Sequence, residues 1–185
     1  MSDLLKGNKV QKTAYRNYKN NNPWPVNDTW HYATHLIIEK FVANWVNQHT
    51  YEKSICLNIG SGLSKYPVKG TLIQMDIISE YVENEPNYIV GSLEDIPIED
   101  NSVEFIICVG SVLNYCDAIR SINEIKRVLK PNGMISIVPI WYKEEPEYDI
   151  IKNVNKELGF EINISYEEDW SSYEKWGLEL YYKKD

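Results

Sequence analysis

The sequence predicts an α/β protein built on a doubly wound, mostly parallel sheet of seven strands. From residue 54 onward, short and continuously apolar runs alternate with polar stretches of helical spacing. A run that is apolar throughout is typical of a strand covered on both faces, and the alternation of strands with helices implies right-handed crossovers. The length of 185 residues fits one domain, since domains usually span about 100 to 200 residues.

An N-terminal arm and cap helix are predicted over 1–50. Residues 1–29 are polar and contain a Pro-Trp-Pro triplet, which prevents a helix there. Asp28 or Thr29 caps the helix that follows, and this helix extends to about Gln48. Its apolar residues recur at helical spacing: Trp30, Leu36, Ile37, Phe41, Val42 and Trp45.

The α/β core is predicted over 51–185, where the apolar runs mark seven strands. These strands lie at 54–59, 71–76, 87–90, 103–109, 133–139, 159–165 and 177–183. One helix is predicted over 117–130, where Asp117 caps the first turn, and another over 146–158, which a glycine follows. Together with the N-terminal cap, the core is expected to form a single domain over 1–185.

The connection between the first two predicted strands is unusually short. It covers residues 60–70 and contains Pro67. Because a parallel crossover needs about a dozen residues, the first helix of the core is expected to be reduced to a turn or lost. One side of a ligand site at this edge of the sheet would then be open to solvent.

Charge and hydropathy exclude several classes of protein. Acidic residues outnumber basic ones by 27 to 19, a formal net charge of −8, which disfavours binding to nucleic acid or to anionic membranes. No stretch approaches the roughly 18 apolar residues of a membrane span, and the N-terminal residues contain no apolar signal segment. A cytoplasmic protein is therefore expected. The 14 Tyr and 6 Trp residues suit pocket walls and protein interfaces.

The three cysteines form no Cys-x-x-Cys pair and have no histidine at ligand spacing. Cys56 and Cys108 lie inside apolar runs, and Cys116 follows the second of these runs. We expect small buried thiols in a reduced compartment, and no metal site.

Chemistry is expected at the carboxyl ends of the first two strands, where an open α/β sheet places its ligand crevice. Gly60 and Gly62 form a Gly-x-Gly turn directly after strand one, and Asp76 ends strand two. Two interpretations of the glycines are open: they let a ligand approach the backbone closely, or they only allow a tight turn. Two roles are open for the Asp76 carboxylate: it accepts hydrogen bonds from ribose hydroxyls, or it only caps a helix. A third glycine is absent, which argues against pyrophosphate binding and a nicotinamide oxidoreductase.

Four stretches taken together resemble one family. They are ICLNIGSG, KGTLIQMDI, GSLEDIPIEDNSVEFIICVGSVLNYCD and AIRSINEIKRVLKPNGMISIVPI. This combination resembles the class I S-adenosylmethionine-dependent methyltransferases, in particular the methyltransferase type 11 group, over residues 54–140. The resemblance implies a Rossmann-like sheet of order 3-2-1-4-5-7-6, an N-terminal helical cap, and S-adenosylmethionine as the cofactor.

The resemblance also assigns cofactor-binding positions. Gly60 and Gly62 would face the methionine part, Asp76 would hold the ribose hydroxyls, and Ile77 would pack on the adenine, although this isoleucine would be core in any α/β protein. The full implied set is Asn58, Gly60, Ser61, Gly62, Asp76, Ile77, Ser92, Leu93, Gly110, Ser111 and Val112.

Two positions depart from the family pattern. Asn58 stands where the family has an acid that engages the amino group of the cofactor, and Ser92 stands where it has an aspartate at the adenine. An amide accepts a hydrogen bond but offers no counter-charge. Because charge-assisted hydrogen bonds are about twice as strong as neutral ones, these departures should weaken cofactor binding.

Candidate catalytic residues are His31, His35 and Tyr115. The two histidines are four residues apart and share a helix face, where they act as a general base or are only surface residues. The predicted function is methyl transfer to a small molecule, without nucleic acid or membrane partners. The alternative is a catalytically degenerate protein of this fold that binds a ligand, or a protein partner through its Tyr- and Trp-rich surface.

Overall fold

A computed structural model describes residues 40, 42–62, 64–109 and 116–138, together with two further strands at 160–165 and 178–183. The strands are β1 (Ile55–Ile59), β2 (Thr71–Asp76), β3 (Tyr88–Val90), β4 (Val103–Val109), β5 (Leu129–Val138), β6 (Phe160–Ser165) and β7 (Leu178–Lys183). The helices are α1, described over 40 and 42–49, α2 (Ser79–Val82) and α3 (Ala118–Val128).

The strands form one sheet of order β3-β2-β1-β4-β5-β7-β6. The pairs among β1 to β5 are parallel, whereas β7 is antiparallel to both β5 and β6. The predicted α/β class with a doubly wound, mostly parallel sheet is confirmed. The count of seven strands for the whole chain stays a prediction, because the description has gaps.

Helices cover both faces of the sheet. On one face, Val42, Trp45 and Val46 of α1 pack with Phe105 and Ile107 of β4. On the other face, apolar residues of α3 pack against the neighbouring positions of the same strands: Ile122 and Ile125 with Leu57, Ile106 and Ile135. Successive residues of β4 therefore serve opposite faces, which explains why its residues are apolar except for Glu104.

The cysteine predictions concern this core. Cys56 and Cys108 are buried, as predicted, and Cys116 is half-buried. Burial raises the pKa of the Cys56 thiol, with a smaller contribution from Glu104, and raises the pKa of the Cys108 thiol; both reach about 12. Both thiols are therefore protonated at neutral pH and act as small core side chains.

The predicted helix over 117–130 forms, but its end differs. Asp117 caps it as predicted, since its Oδ1 accepts from the Arg120 N–H at 2.9 Å. The helix stops at Val128 and β5 starts at Leu129, four residues before the predicted strand start at 133. Pro131 disfavours helical backbone in the residue before it, and the β4–β5 register shifts across 130–133. This stretch is therefore an irregular part of the strand.

Two helix predictions concern residues with little or no description. The cap helix was expected to end near Gln48, and α1 is helical to residue 49. Its predicted start at Asp28 or Thr29, the arm before it and the helix over 146–158 lie outside the described residues.

The connection from β1 to β2 contains no helix among its described residues, which are 60–62 and 64–70. The predicted loss of the first core helix is thus confirmed for this part of the chain. The four-residue α2, which follows β2, is the short helix nearest this edge. The carboxyl ends of β1 and β2 are therefore bordered by extended loop.

The segment before β4 is held by Arg127 of α3. Its guanidinium donates to the carbonyl oxygens of Ile96 and Ile98, each at 2.7 Å, and to the carboxylates of Glu124 and Asp100. The hydrogen bond from Arg127 lowers the pKa of Glu124, and the two carboxylates raise that of Arg127. These contacts explain the Glu and Arg of the EIKRVLKPNG stretch as structural residues.

Candidate functional site

The turn after β1 lies against the end of β2. Gly60 and Gly62 have φ angles of 61° and 52°, the left-handed region that favours glycine. Between them, the Ser61 N–H donates to the Met75 carbonyl oxygen at 3.1 Å. The predicted Gly-x-Gly turn is thus brought beside Asp76, the last residue of β2.

The Asp76 carboxylate organises this turn. The residue is 8% exposed. Its Oδ2 accepts from the Gly62 N–H and its Oδ1 from the Ile78 N–H, each at 2.9 Å. A carboxylate has about four acceptor positions, so the backbone donors of Gly62, Ile78 and Ile77 leave it with further acceptor capacity. Burial raises the pKa of Asp76, while hydrogen bonds from Gly62, Ile78 and Ile77 oppose this shift.

Space for a ligand is found over Gly62. Apart from its two chain neighbours, a Cβ placed on this glycine would meet no atom of the described residues within 4 Å, so a ligand group can approach the backbone there. Ser61 is 4% exposed, and its Oγ has no hydrogen-bond partner in the part of the chain that the structure describes. An open approach, an acceptor-rich carboxylate and an unpaired hydroxyl suit a polar ligand that carries hydroxyl groups.

Asn58 lies beneath the turn and directs its amide into the protein. It is 2% exposed, and its Nδ2 donates to the Ser64 carbonyl oxygen at 3.2 Å and to Oε1 of Gln74 at 2.8 Å. Its predicted contact with the cofactor stays a prediction. The pairing with Gln74 was missed from the sequence, although the single amide within the apolar run TLIQMD was a signal.

The predicted adenine-side residues follow β3. Ser92 is buried, and its Oγ accepts from the Glu94 N–H at 3.2 Å. Leu93 is 2% exposed and belongs to the core beneath the sheet. The Gly91 N–H donates to the Asp76 carbonyl oxygen at 3.0 Å, which brings this segment beside the end of β2. Ile77 is half-buried. The proposed contacts of these residues with adenine stay predictions.

The other predicted site residues have no structural description. Gly110, Ser111 and Val112, expected beneath the methionine part, lie outside the described residues, as do the catalytic candidates His31, His35 and Tyr115. Within the described ranges, no group of three or more His, Cys, Asp or Glu side chains is arranged to hold a metal ion. No helix in these ranges is long and apolar enough to span a membrane.

The pH dependence of protein stability tests whether the pKa of the buried Asp76 carboxyl is raised. Because burial raises its folded-state pKa above the ordinary 3.8, the folded protein holds this proton more tightly than the unfolded chain. The resulting stabilisation is fully present below the ordinary value and is lost as pH rises through the folded-state pKa. We expect urea denaturation to show wild type losing stability relative to Asp76→Asn as pH rises towards neutrality. Parallel pH profiles would contradict the assigned direction.

The sequence was compared with protein families and curated proteins. Residues 57–137 match the family model described as a methyltransferase domain. An uncharacterised methyltransferase-like protein of Schizosaccharomyces pombe is 28% identical over 149 residues, which cover 73% of this chain and 55% of that protein. The chain thus spans about half the length of this curated relative.

Solved structures share the fold at low sequence identity. A Methanococcus maripaludis protein classed as an S-adenosylmethionine-dependent methyltransferase superposes with a TM-score of 0.61 at 20% identity, covering 100% of this chain and 98% of that chain. A TehB-like methyltransferase of Corynebacterium glutamicum gives a TM-score of 0.64 at 14% identity, covering 83% and 97%. These similarities concern the architecture of the sheet and its helices.

Proposed function

We propose that the chain is a class I S-adenosylmethionine-dependent methyltransferase, which its match to a methyltransferase domain at 57–137 supports, and that it transfers a methyl group to a small-molecule acceptor. The observation that supports this proposal best is the meeting of the Gly-x-Gly turn with Asp76 at the carboxyl ends of β1 and β2. Open α/β sheets bind their ligands at this edge.

S-adenosylmethionine, the cofactor of this family, supplies a methyl group already activated on a sulfonium. We assign the ribose hydroxyls to Asp76, which keeps acceptor capacity beyond its backbone donors. The open approach over Gly62 suits the methionine part, and the half-buried Ile77 offers an apolar surface to the adenine. These residues bind and orient the cofactor, which is the main demand that an in-line displacement makes on a protein.

The small acceptor is favoured by charge. The net charge of −8 repels the phosphate backbone of a nucleic acid. If the acceptor must lose a proton, a general base is required, and His31, His35 and Tyr115 are the candidates. A single domain over 1–185, a cytoplasmic location and a protein partner at the Tyr- and Trp-rich surface stay predictions.

Calorimetric titration with S-adenosylmethionine and with its demethylated product tests the proposal. We expect both ligands to bind at a single site, because the contacts assigned to Asp76 and to the glycine turn do not involve the transferred methyl group. Absence of heat at millimolar ligand, with protein shown to be folded by circular dichroism, would refute the proposed function. A radiolabelled methyl group that stays on the bound cofactor with every acceptor class tried would favour the degenerate binding module.

A further inference from the structure

The connection from β1 to β2 has no helix to pack it against the sheet, and two buried amides hold it instead. Asn58 of β1 and Gln74 of β2 are opposite each other in the parallel register. They are 2% and 3% exposed. Because both amide groups are buried, each must find hydrogen-bond partners within the protein.

Both amides converge on one backbone carbonyl of the connection. Nδ2 of Asn58 donates to the Ser64 carbonyl oxygen at 3.2 Å, and Nε2 of Gln74 donates to the same oxygen at 3.0 Å. The two side chains are joined to each other, since Asn58 Nδ2 also donates to Gln74 Oε1 at 2.8 Å. We call Asn58, Gln74 and the Ser64 carbonyl the amide clamp.

The amide clamp is continuous with the glycine turn. The Ser64 N–H donates to the Ser61 carbonyl oxygen at 2.9 Å, so a shift of Ser64 would be passed to the turn between Gly60 and Gly62. Further along the connection, Tyr66 is buried with the residues of α1, and the Lys69 N–H donates to Oγ1 of Thr50 at 3.2 Å. The clamp therefore holds the part of the connection nearest the proposed cofactor site.

Only an amide can hold the connection in this way. A carboxylate at position 58 is an acceptor without donors when ionised, so it would face the Ser64 carbonyl with no hydrogen to share. Weakening the set of donors to this part-buried carbonyl is unfavourable. We propose that Asn58 is a positioning residue, which donates to the helix-free connection and thereby shapes the cofactor site, in place of the family acid that engages the cofactor itself.

The expected effect of Asn58 on cofactor binding rests on the proposed function. Its effect on the connection from β1 to β2 is independent of any ligand. Asn58→Asp separates the two roles because they predict opposite signs. If position 58 engages the cofactor amino group, the carboxylate adds a counter-charge and tightens S-adenosylmethionine binding. If Asn58 acts through the clamp, the carboxylate loosens the connection and weakens binding.

Hydrogen exchange without ligand measures the clamp directly. We expect Asn58→Asp and the uncharged, donor-free Asn58→Leu each to speed exchange of the amides in 61–69 by about tenfold, a value that corresponds to losing one hydrogen bond. Exchange in β4 and α3 should keep its wild-type rate, which distinguishes a loosened connection from general destabilisation. Asn58→Leu also keeps the test available if the buried charge prevents Asn58→Asp from folding.

Calorimetry completes the experiment, with S-adenosylmethionine affinity expected to fall about tenfold in both variants. Wild-type exchange rates in 61–69 for Asn58→Leu, or tighter binding by Asn58→Asp, would overturn the inference. Faster exchange in Asn58→Asp alone would also overturn it, because the cause would be the buried charge. If wild type binds no S-adenosylmethionine but both variants exchange faster, the clamp stands and the proposed function falls.

Discussion

Asp76→Ala should weaken S-adenosylmethionine binding by a factor of ten or more. The substitution removes the acceptors proposed for the ribose hydroxyls, and hydrogen bonds to charged groups contribute about 1.5 to 3 kcal/mol each. It also removes the acceptor of the Gly62 N–H, so the turn that admits the ligand loses its anchor. Both effects reduce affinity, which calorimetric titration measures.

Two further variants identify the cause of the loss. Glu52→Ala removes one exposed carboxylate just before β1, at the end of this strand opposite the proposed site. This variant should leave the affinity for S-adenosylmethionine unchanged. Asp76→Asn keeps one acceptor but loses the charge, and its affinity should lie between those of wild type and Asp76→Ala. An Asp76→Ala protein that is folded and binds with wild-type affinity would refute the assignment of Asp76 to the ribose.

Gly70→Ala should destabilise the fold by about 3 kcal/mol, the upper part of the range for overpacking. A Cβ at Gly70 would overlap the carbonyl oxygen of Ser54 and lie 2.8 Å from its carbonyl carbon. The Thr71 N–H donates to that same oxygen at 2.8 Å, where β1 and β2 begin to pair. Backbone on both sides would have to move apart, which urea denaturation would detect as a lower midpoint.

Gly62→Ala is the matched control at the other end of the same connection. Apart from its two chain neighbours, its Cβ would meet no atom of the described residues within 4 Å, so its cost comes from the φ of 52° and should be about 1 to 2 kcal/mol. Its methyl group enters the space assigned to the cofactor, and affinity should fall even though the fold survives. Equal stability losses in the two variants would contradict the clash assigned to Gly70.

The short connection from β1 to β2 and the amide at Asn58 have one structural explanation. A full crossover helix packs itself against the sheet through its apolar face, whereas an extended connection needs polar anchors for its backbone groups. Asn58 and Gln74 supply such anchors at Ser64. The amide at 58, which from the sequence predicts only weaker cofactor binding, is explained in the structure by this second requirement.

Strand positions were predictable because they depend on local pattern. The runs over β1, β2 and β4 are mostly apolar, and their predicted bounds differ from the structure by at most one residue. The start of β5 was not predicted, because Pro131, Asn132 and Gly133 are residue types typical of a loop between a helix and a strand. Position in the register, rather than propensity, makes 129–133 part of the sheet.

The sequence by itself determined the fold class, the resemblance to a methyltransferase domain, the glycine turn and the carboxylate that ends β2, since each depends on residue type at a local position. Only the tertiary structure decided what these groups contact. The Gly62 N–H is 14 residues from Asp76, and Asn58 is 16 from Gln74. Such pairs depend on which residues the parallel register places opposite each other, and that register is set by the crossover and by packing on both faces of the sheet.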